Sequence, residues 1–371
     1  MNKEVFTQRP LPMLFFFFLV CGACLAHDGS ASRATYPTPV EDDYLIRNFR
    51  FRSGETLAEL KIHYRTIGKP LRNSAGVTQN AVLILHGTGG AGTQFLSEQF
   101  ADVLFGDGQL LDANRYFIIL PDGIGHGKSS KPSDGQHARF PHYTYDDMVT
   151  AQHKLVTEKL GLNHLRLVVG TSMGGMHTWI WGETYPDFMD GLMPLASLPV
   201  EIAGRNRVMR SMIMRAIRSD PAWENGEYSA EPMQGLTAAI NILLLMGSSP
   251  WQWYKQAPTR QAADRFYSER LQASLTRTDA NDMLYQFDAS REYNPSSKLK
   301  SIKAVHLAVN SMDDVVNPPE LGLMEQQIKR VKHGRYVLLP ITNQTRGHGT
   351  HSFPAIWQQY LKELLEQSER K

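Results

Sequence analysis

The sequence predicts an α/β fold: a mainly parallel sheet flanked by helices, with an inserted helical segment. Three observations predict it. Short apolar runs, among them Ala81 to Leu85, Tyr116 to Leu120 and Leu165 to Val169, have the length of buried strands. Helix-compatible stretches alternate with them, as a parallel sheet requires. From Pro199 to about Lys298 strand signals stop, and helical runs such as Arg207 to Arg218 and Leu236 to Met246 take over.

Taken in order, Met1 to Ala26 has the layout of an export signal. Lys3 and Arg9 supply positive charge, Met13 to Val20 forms the apolar centre, and the segment ends on small Ala26. The apolar run is short for a membrane span, which needs about 20 residues. Cleavage after Ala26 predicts a secreted or periplasmic protein. The alternative is a lipid anchor at Cys24 after Gly22-Ala23, although Cys21 stands where leucine is expected. Both cysteines, Cys21 and Cys24, lie in this segment, so a cleaved chain would carry no disulfide, thiolate metal site or cysteine nucleophile.

His27 to Val40, rich in Ser, Ala, Thr and Pro, reads as a lead-in. Tyr44 to Phe51 and Leu57 to Tyr64 alternate around Ser53-Gly54 and predict an antiparallel pair. Two strands end in glycine-rich loops, His86-Gly87-Thr88-Gly89-Gly90 and Pro121-Asp122-Gly123-Ile124-Gly125-His126-Gly127. Asp146 to Leu160 suits a helix, and Leu192 to Ala196 a further strand. After the insertion, Ala304 to Val309 and Arg335 to Leu339 resume the sheet, and Phe353 to about Gln367 closes the chain as a helix. The expected organisation is therefore a signal at 1–26, core at 27–198, helical lid at 199–298 and core again at 299–371. Methionines concentrated in the insertion suit packed core, a homodimer surface or an adaptable pocket wall.

Composition excludes several classes. Lysine plus arginine number 39 against 37 acidic residues, a net charge of +2, and no basic stripe suggests a nucleic-acid partner. Gly127-Lys128-Ser129 resembles part of a phosphate loop, but Asp122 stands where that motif needs glycine. The histidines show no ligand spacing for a metal, and neither metal nor cofactor is expected.

The strand Leu165 to Val169 runs into Gly170-Thr171-Ser172-Met173-Gly174, and Met176 to Glu183 can be helical. A serine on such a sharp turn exposes its hydroxyl, and the following backbone N–H can face a developing oxyanion. Ser172 is thus a candidate nucleophile, and the N–H of Met173 a candidate oxyanion donor. Thr88, in the glycine-rich loop after His86, is the candidate for the second donor. A serine hydroxyl needs a base, and the base needs a carboxylate to orient it. Two downstream strand-end loops offer them: Asp313-Asp314 before Pro318, and Gly347-His348-Gly349-Thr350-His351. His348, between glycines, is preferred to His351, and Asp314 to Asp313.

With these residues in view, the chain resembles the α/β-hydrolase superfamily, and within it the homoserine O-acetyltransferase-like family. Gly170-Thr171-Ser172-Met173-Gly174-Gly175-Met176, Tyr185-Pro186, Asp220-Pro221-Ala222-Trp223 with Gly226 and Tyr228, Asp279-Ala280-Asn281-Asp282 and Gly347-His348 carry the likeness. It implies an α/β-hydrolase fold with a helical lid and a triad on Ser172, Asp314 and His348. Two positions depart. Homoserine acetyltransferases resemble His-Ala-Leu-Thr-Gly where this chain has His86-Gly87-Thr88-Gly89-Gly90, and they carry aspartate where it has Gly349. The expected activity is hydrolysis of an ester or related small-molecule acyl substrate. Acyl transfer to a hydroxyl acceptor is the alternative, and a non-catalytic binding protein on the same fold a third.

Overall fold

The computed structural model describes residues 35–369. The expected export segment, Met1 to Ala26, lies outside them, as does the start of the core at His27.

The sheet opens with an antiparallel pair, β1 (Val40–Arg50) and β2 (Thr56–Ile67). β1 starts at Val40, inside what the composition marks as lead-in, and runs through Glu41-Asp42-Asp43. An acidic run resembles a solvated loop in sequence, but here it lies on the sheet's edge. Glu41 faces Arg65 and Asp43 faces His63 across the pair, so cross-strand partners offset its low strand propensity. The remaining strands are β3 (Ala81–Leu85), β4 (Phe117–Pro121), β5 (Leu165–Thr171), β6 (Met189–Leu195), β7 (Val305–Ser311) and β8 (Gly334–Leu339).

Their order is β1-β2-β4-β3-β5-β6-β7-β8. β2 meets β4 antiparallel, and every pair from β4 to β8 is parallel. Central strands buried on both faces read as continuous apolar runs, which is why β3 and β4 stand out in the sequence.

Alternate residues feed two cores. Val82, Ile84, Leu167 and Val169 pack with α1 (Glu98–Leu104) and with Trp357 and Leu361 of the last helix. Leu83, Leu85 and Val168 pack on the other face with α2 (Tyr145–Lys154) and α3 (Met173–Thr184). The α-helix expected over Asp146 to Leu160 stops at Lys154 and passes into a π-turn, Leu155–Lys159, closed by the Leu160 N–H on the Leu155 carbonyl.

Between β6 and β7 lie α4 (Gly204–Arg218), α5 (Met233–Met246), α6 (Pro250–Gln256), α7 (Arg260–Leu275) and α8 (Ala280–Asp288). A short α9 (Leu323–Gln327) follows β7, and α10 (Pro354–Gln367) closes the chain. Among the described residues no helix is long and apolar enough to cross a membrane.

Within the insertion the helices differ in attachment. α8 is held to the core: Ser133 donates from N–H and Oγ to Asp282, the Tyr285 hydroxyl is bonded at Ala138 and Phe140, and Gln286 donates to the Gly125 carbonyl. α7 has no buried residue along its 16 positions.

Candidate active site

The centre of the site is the junction of β5 and α3. Ser172 has φ 55 and ψ −111, a conformation costly for a residue with a Cβ. The surroundings impose it. The Ser172 N–H donates to Leu195 O at 2.9 Å, and its carbonyl accepts the Met176 N–H at 3.0 Å. The flanking glycines leave no alternative residue. A Cβ on Gly170 would lie 1.9 Å from Gly174 O, and one on Gly174 would lie 2.0 Å from Leu85 O. The motif is thus the sequence that lets strand, turn and helix pass each other at backbone distance.

Two loops at the carboxyl ends of β7 and β8 come to this serine. His348 Nε2 lies 2.7 Å from Ser172 Oγ, and His348 Nδ1 lies 2.9 Å from Asp314 Oδ2. The Asp314 side chain is fully buried, whereas that of His348 is 14% exposed. Burial alone would raise the Asp314 carboxyl. The facing imidazole and hydrogen bonds from His348, Asn317 and the Val316 N–H outweigh it, and hold the group below its usual value.

The rival residues stand elsewhere. Asp313 turns from the imidazole: Ser311 Oγ donates to one oxygen, and the Gly347 N–H donates to the other at 2.9 Å. His351 packs its ring 5.5 Å from that of His348, and its Nδ1 lies 3.0 Å from Ser352 Oγ rather than on Ser172. Burial drives its ring down to about 3, so it is neutral.

Asn317 was not evident from sequence. Its Nδ2 donates to Asp314 Oδ2 at 3.0 Å and to Ala196 O at 2.8 Å, fixing the carboxylate against the end of β6. The only signal was its spacing, three residues after Asp314, and many loops share that spacing.

Met173 is the first residue of α3, so no carbonyl within the helix accepts its N–H. The loop after β3 runs against the serine: a Cβ on Gly87 would lie 3.3 Å from Ser172 Cβ. Thr88 follows, its Oγ1 buried without a partner among the described residues. Thr88 to Ala91 also line a chamber of about 610 Å³, closed opposite by Arg277, Asp279, Asp282 and Gln286 of the insertion. Ser172 is not part of its wall. Its lining is more polar than apolar, and Gly89 and Arg277 at its border are exposed.

A mainly parallel sheet of this order, with a serine at the central elbow and helices inserted after β6, defines an enzyme of the α/β-hydrolase type. The chain belongs to the alpha/beta hydrolase fold family, whose profile matches residues 80–291, and to its homoserine O-acetyltransferase-like members. It is 32% identical over 279 residues to a probable acyltransferase of Methanothermobacter thermautotrophicus, covering 75% of this chain and 84% of that protein. It is 31% identical to the homoserine O-acetyltransferase of Moorella thermoacetica, covering 84% and 93%. The crystal structure of esterase E22 superposes with a TM-score of 0.75 at 21% identity, over 88% of this chain and all of that one. Membership makes the protein a catalytic esterase or acyltransferase and implies a small acyl substrate.

Proposed function

We propose that this protein is a serine ester hydrolase working through an acyl-enzyme. The observation that carries the reading is the unbroken line Ser172 Oγ, His348 Nε2, His348 Nδ1, Asp314 Oδ2, with separations of 2.7 and 2.9 Å at its two hydrogen bonds. Ser172 Oγ attacks the acyl carbon as His348 Nε2 takes its proton. Asp314 keeps the ring in the productive tautomer and stabilises the imidazolium. The N–H groups of Met173 and Thr88 receive the oxyanion. Collapse expels the alkoxide, which takes the proton from His348 and leaves as alcohol. Water then adds to the acyl-serine by the same relay, releasing the acid and restoring the Ser172 hydroxyl.

Water is favoured over an alcohol acceptor because the chain departs from the acetyltransferase pattern at Gly87 and Gly349. Export by Met1 to Ala26 would further place the enzyme away from acetyl-CoA. The names of the sequence relatives favour the second reading, acyl transfer to a hydroxyl.

The test is a partition experiment with p-nitrophenyl acetate and acetyl-CoA as donors, with and without homoserine or a simple alcohol. Free acetate should dominate in every arm. Efficient transfer from acetyl-CoA to homoserine, with negligible ester hydrolysis, would reverse the order of the two readings.

A further inference from the structure

We infer that Asp122 is a positioning residue for the oxyanion loop, acting through the Gly92 N–H. The inference rests on the hydrolase reading above and adds to it a residue outside the triad. Asp122 follows β4, and its side chain is 1% exposed. Oδ1 accepts from the Gly92 N–H at 2.8 Å and from Arg65 at 3.0 Å. Oδ2 accepts from the Lys128 N–H at 2.9 Å. One buried anion therefore ties together two main-chain loops that follow different strands.

Both loops border the chamber beside Thr88. The loop around Gly127 is folded onto the carboxylate so closely that a Cβ there would lie 2.2 Å from Oδ2. The loop after β3 has a second tie at its other end. His86 Nδ1 lies 2.8 Å from Gly87 O, while His86 Nε2 accepts the Gly123 N–H at 2.9 Å. That bond assigns the ring proton to Nδ1, and burial lowers the ring's pKa, keeping it neutral. Thr88, Gly89 and Gly90 thus span two fixed points, one set by His86 and the other by Asp122.

A charged acceptor suits this task. Hydrogen bonds from main-chain N–H to a carboxylate are shorter and stronger than neutral ones. A buried ion pair such as Asp122 with Arg65 is weak evidence of net stability, because desolvation offsets its attraction. Placement of the loops gives it a use that stability alone does not. Arg65 is itself 2% exposed and bonded to Glu41 at 2.8 Å, so the anchor is braced from the sheet's edge.

The experiment compares Asp122→Asn with wild type. The amide keeps the shape but turns one acceptor oxygen into a donor, which one of the N–H groups of Gly92 or Lys128 must face. The expected result is a kcat roughly 10- to 100-fold lower with KM within twofold, and fluorophosphonate labelling of Ser172 slowed by the same factor. Asp147→Asn is the control, since Asp147 is a buried acceptor for the Arg52 and Thr144 N–H groups away from this loop. It should lose stability without that loss of kcat. Full kcat in a cooperatively folded Asp122→Asn variant, or a rise in KM alone, would overturn the inference. Should that variant not fold, amide exchange in wild type decides: Gly92 and Lys128 should be protected, and exchange as fast as at exposed Gly89 would overturn it. A wild type that is neither labelled nor active on any ester defeats the hydrolase reading first, and this inference with it.

Discussion

The Asp313 carboxylate accepts the Gly347 N–H at 2.9 Å, one residue before the histidine whose imidazole meets the neighbouring Asp314. Adjacent aspartates thus take different tasks: one holds the loop and the other faces the ring. Their variants should differ in kind. Asp314→Asn should lower kcat by about 10⁴-fold, as expected when the orienting carboxylate of such a triad is neutralised. Asp313→Asn should keep most of its kcat and lose about 1–3 kcal/mol of stability, because a buried N–H loses its charged acceptor. Steady-state kinetics with urea unfolding of both variants checks this. A larger kcat loss at Asp313 would reverse the assignment.

The sequence favours Asp314 over Asp313 through the family resemblance, but no local pattern separates the two. Two aspartates side by side differ only in which way each side chain leaves the loop, and the β7–α9 backbone settles that. The sheet was far more legible. β3 matches the apolar run Ala81 to Leu85 residue for residue, because a strand buried on both faces leaves no polar residue to blur its ends. Helix α1 was not anticipated, since seven residues between loops give too little periodicity to register. The sequence predicts a helix from Met176, yet α3 already begins at Met173, directly after the strained serine. Asp122 stood out only for spoiling a phosphate-loop match. Its bonds to Lys128, Gly92 and Arg65 reach 6, 30 and 57 positions along the chain and leave no local pattern.

Ser172→Ala should abolish fluorophosphonate labelling and ester turnover while the protein stays folded, because the hydroxyl is not needed to hold the turn. His348→Ala should lower kcat by several orders of magnitude, and His351→Ala by less than about tenfold. Intact-protein mass spectrometry after labelling reads the first result, and p-nitrophenyl acetate kinetics reads the others. Equal labelling of Ser172→Ala would remove it as nucleophile.

The insertion should open from its outer edge. α7 has no buried residue, whereas α8 buries most of its length and is bonded to the core through Asp282, Tyr285 and Gln286. Native-state exchange should therefore release α7 amides with an opening free energy several kcal/mol below that of α8. Shortening Gln286 to Ala should raise exchange in α8 and in the loop around Gly125 together. Uniform protection across both helices would show instead that the insertion opens as one unit.

The last prediction concerns acid stability. His306 on β7 is 0% exposed, its ring lies 4.0 Å from that of Trp179, and neither ring nitrogen has a partner among the described residues. Burial lowers it from 6.5 to about 3. In the unfolded chain the ring takes up a proton below about 6.5, whereas the folded chain stays neutral until about 3. The unfolded state binds more protons throughout that window, so stability is fully present above 6.5 and falls as pH drops toward 3. One such group accounts for about 1.4 kcal/mol per pH unit within the window. His306→Leu removes the group at similar volume. At pH 8 it should cost no more than about 1 kcal/mol, because two unpaired buried nitrogens are lost along with the ring contact. From pH 6 to pH 4 the variant should gain steadily on wild type, and urea midpoints at pH 8, 6, 5 and 4 measure the difference. A gap between the two proteins that does not change with pH would mean that His306 is not the group held neutral.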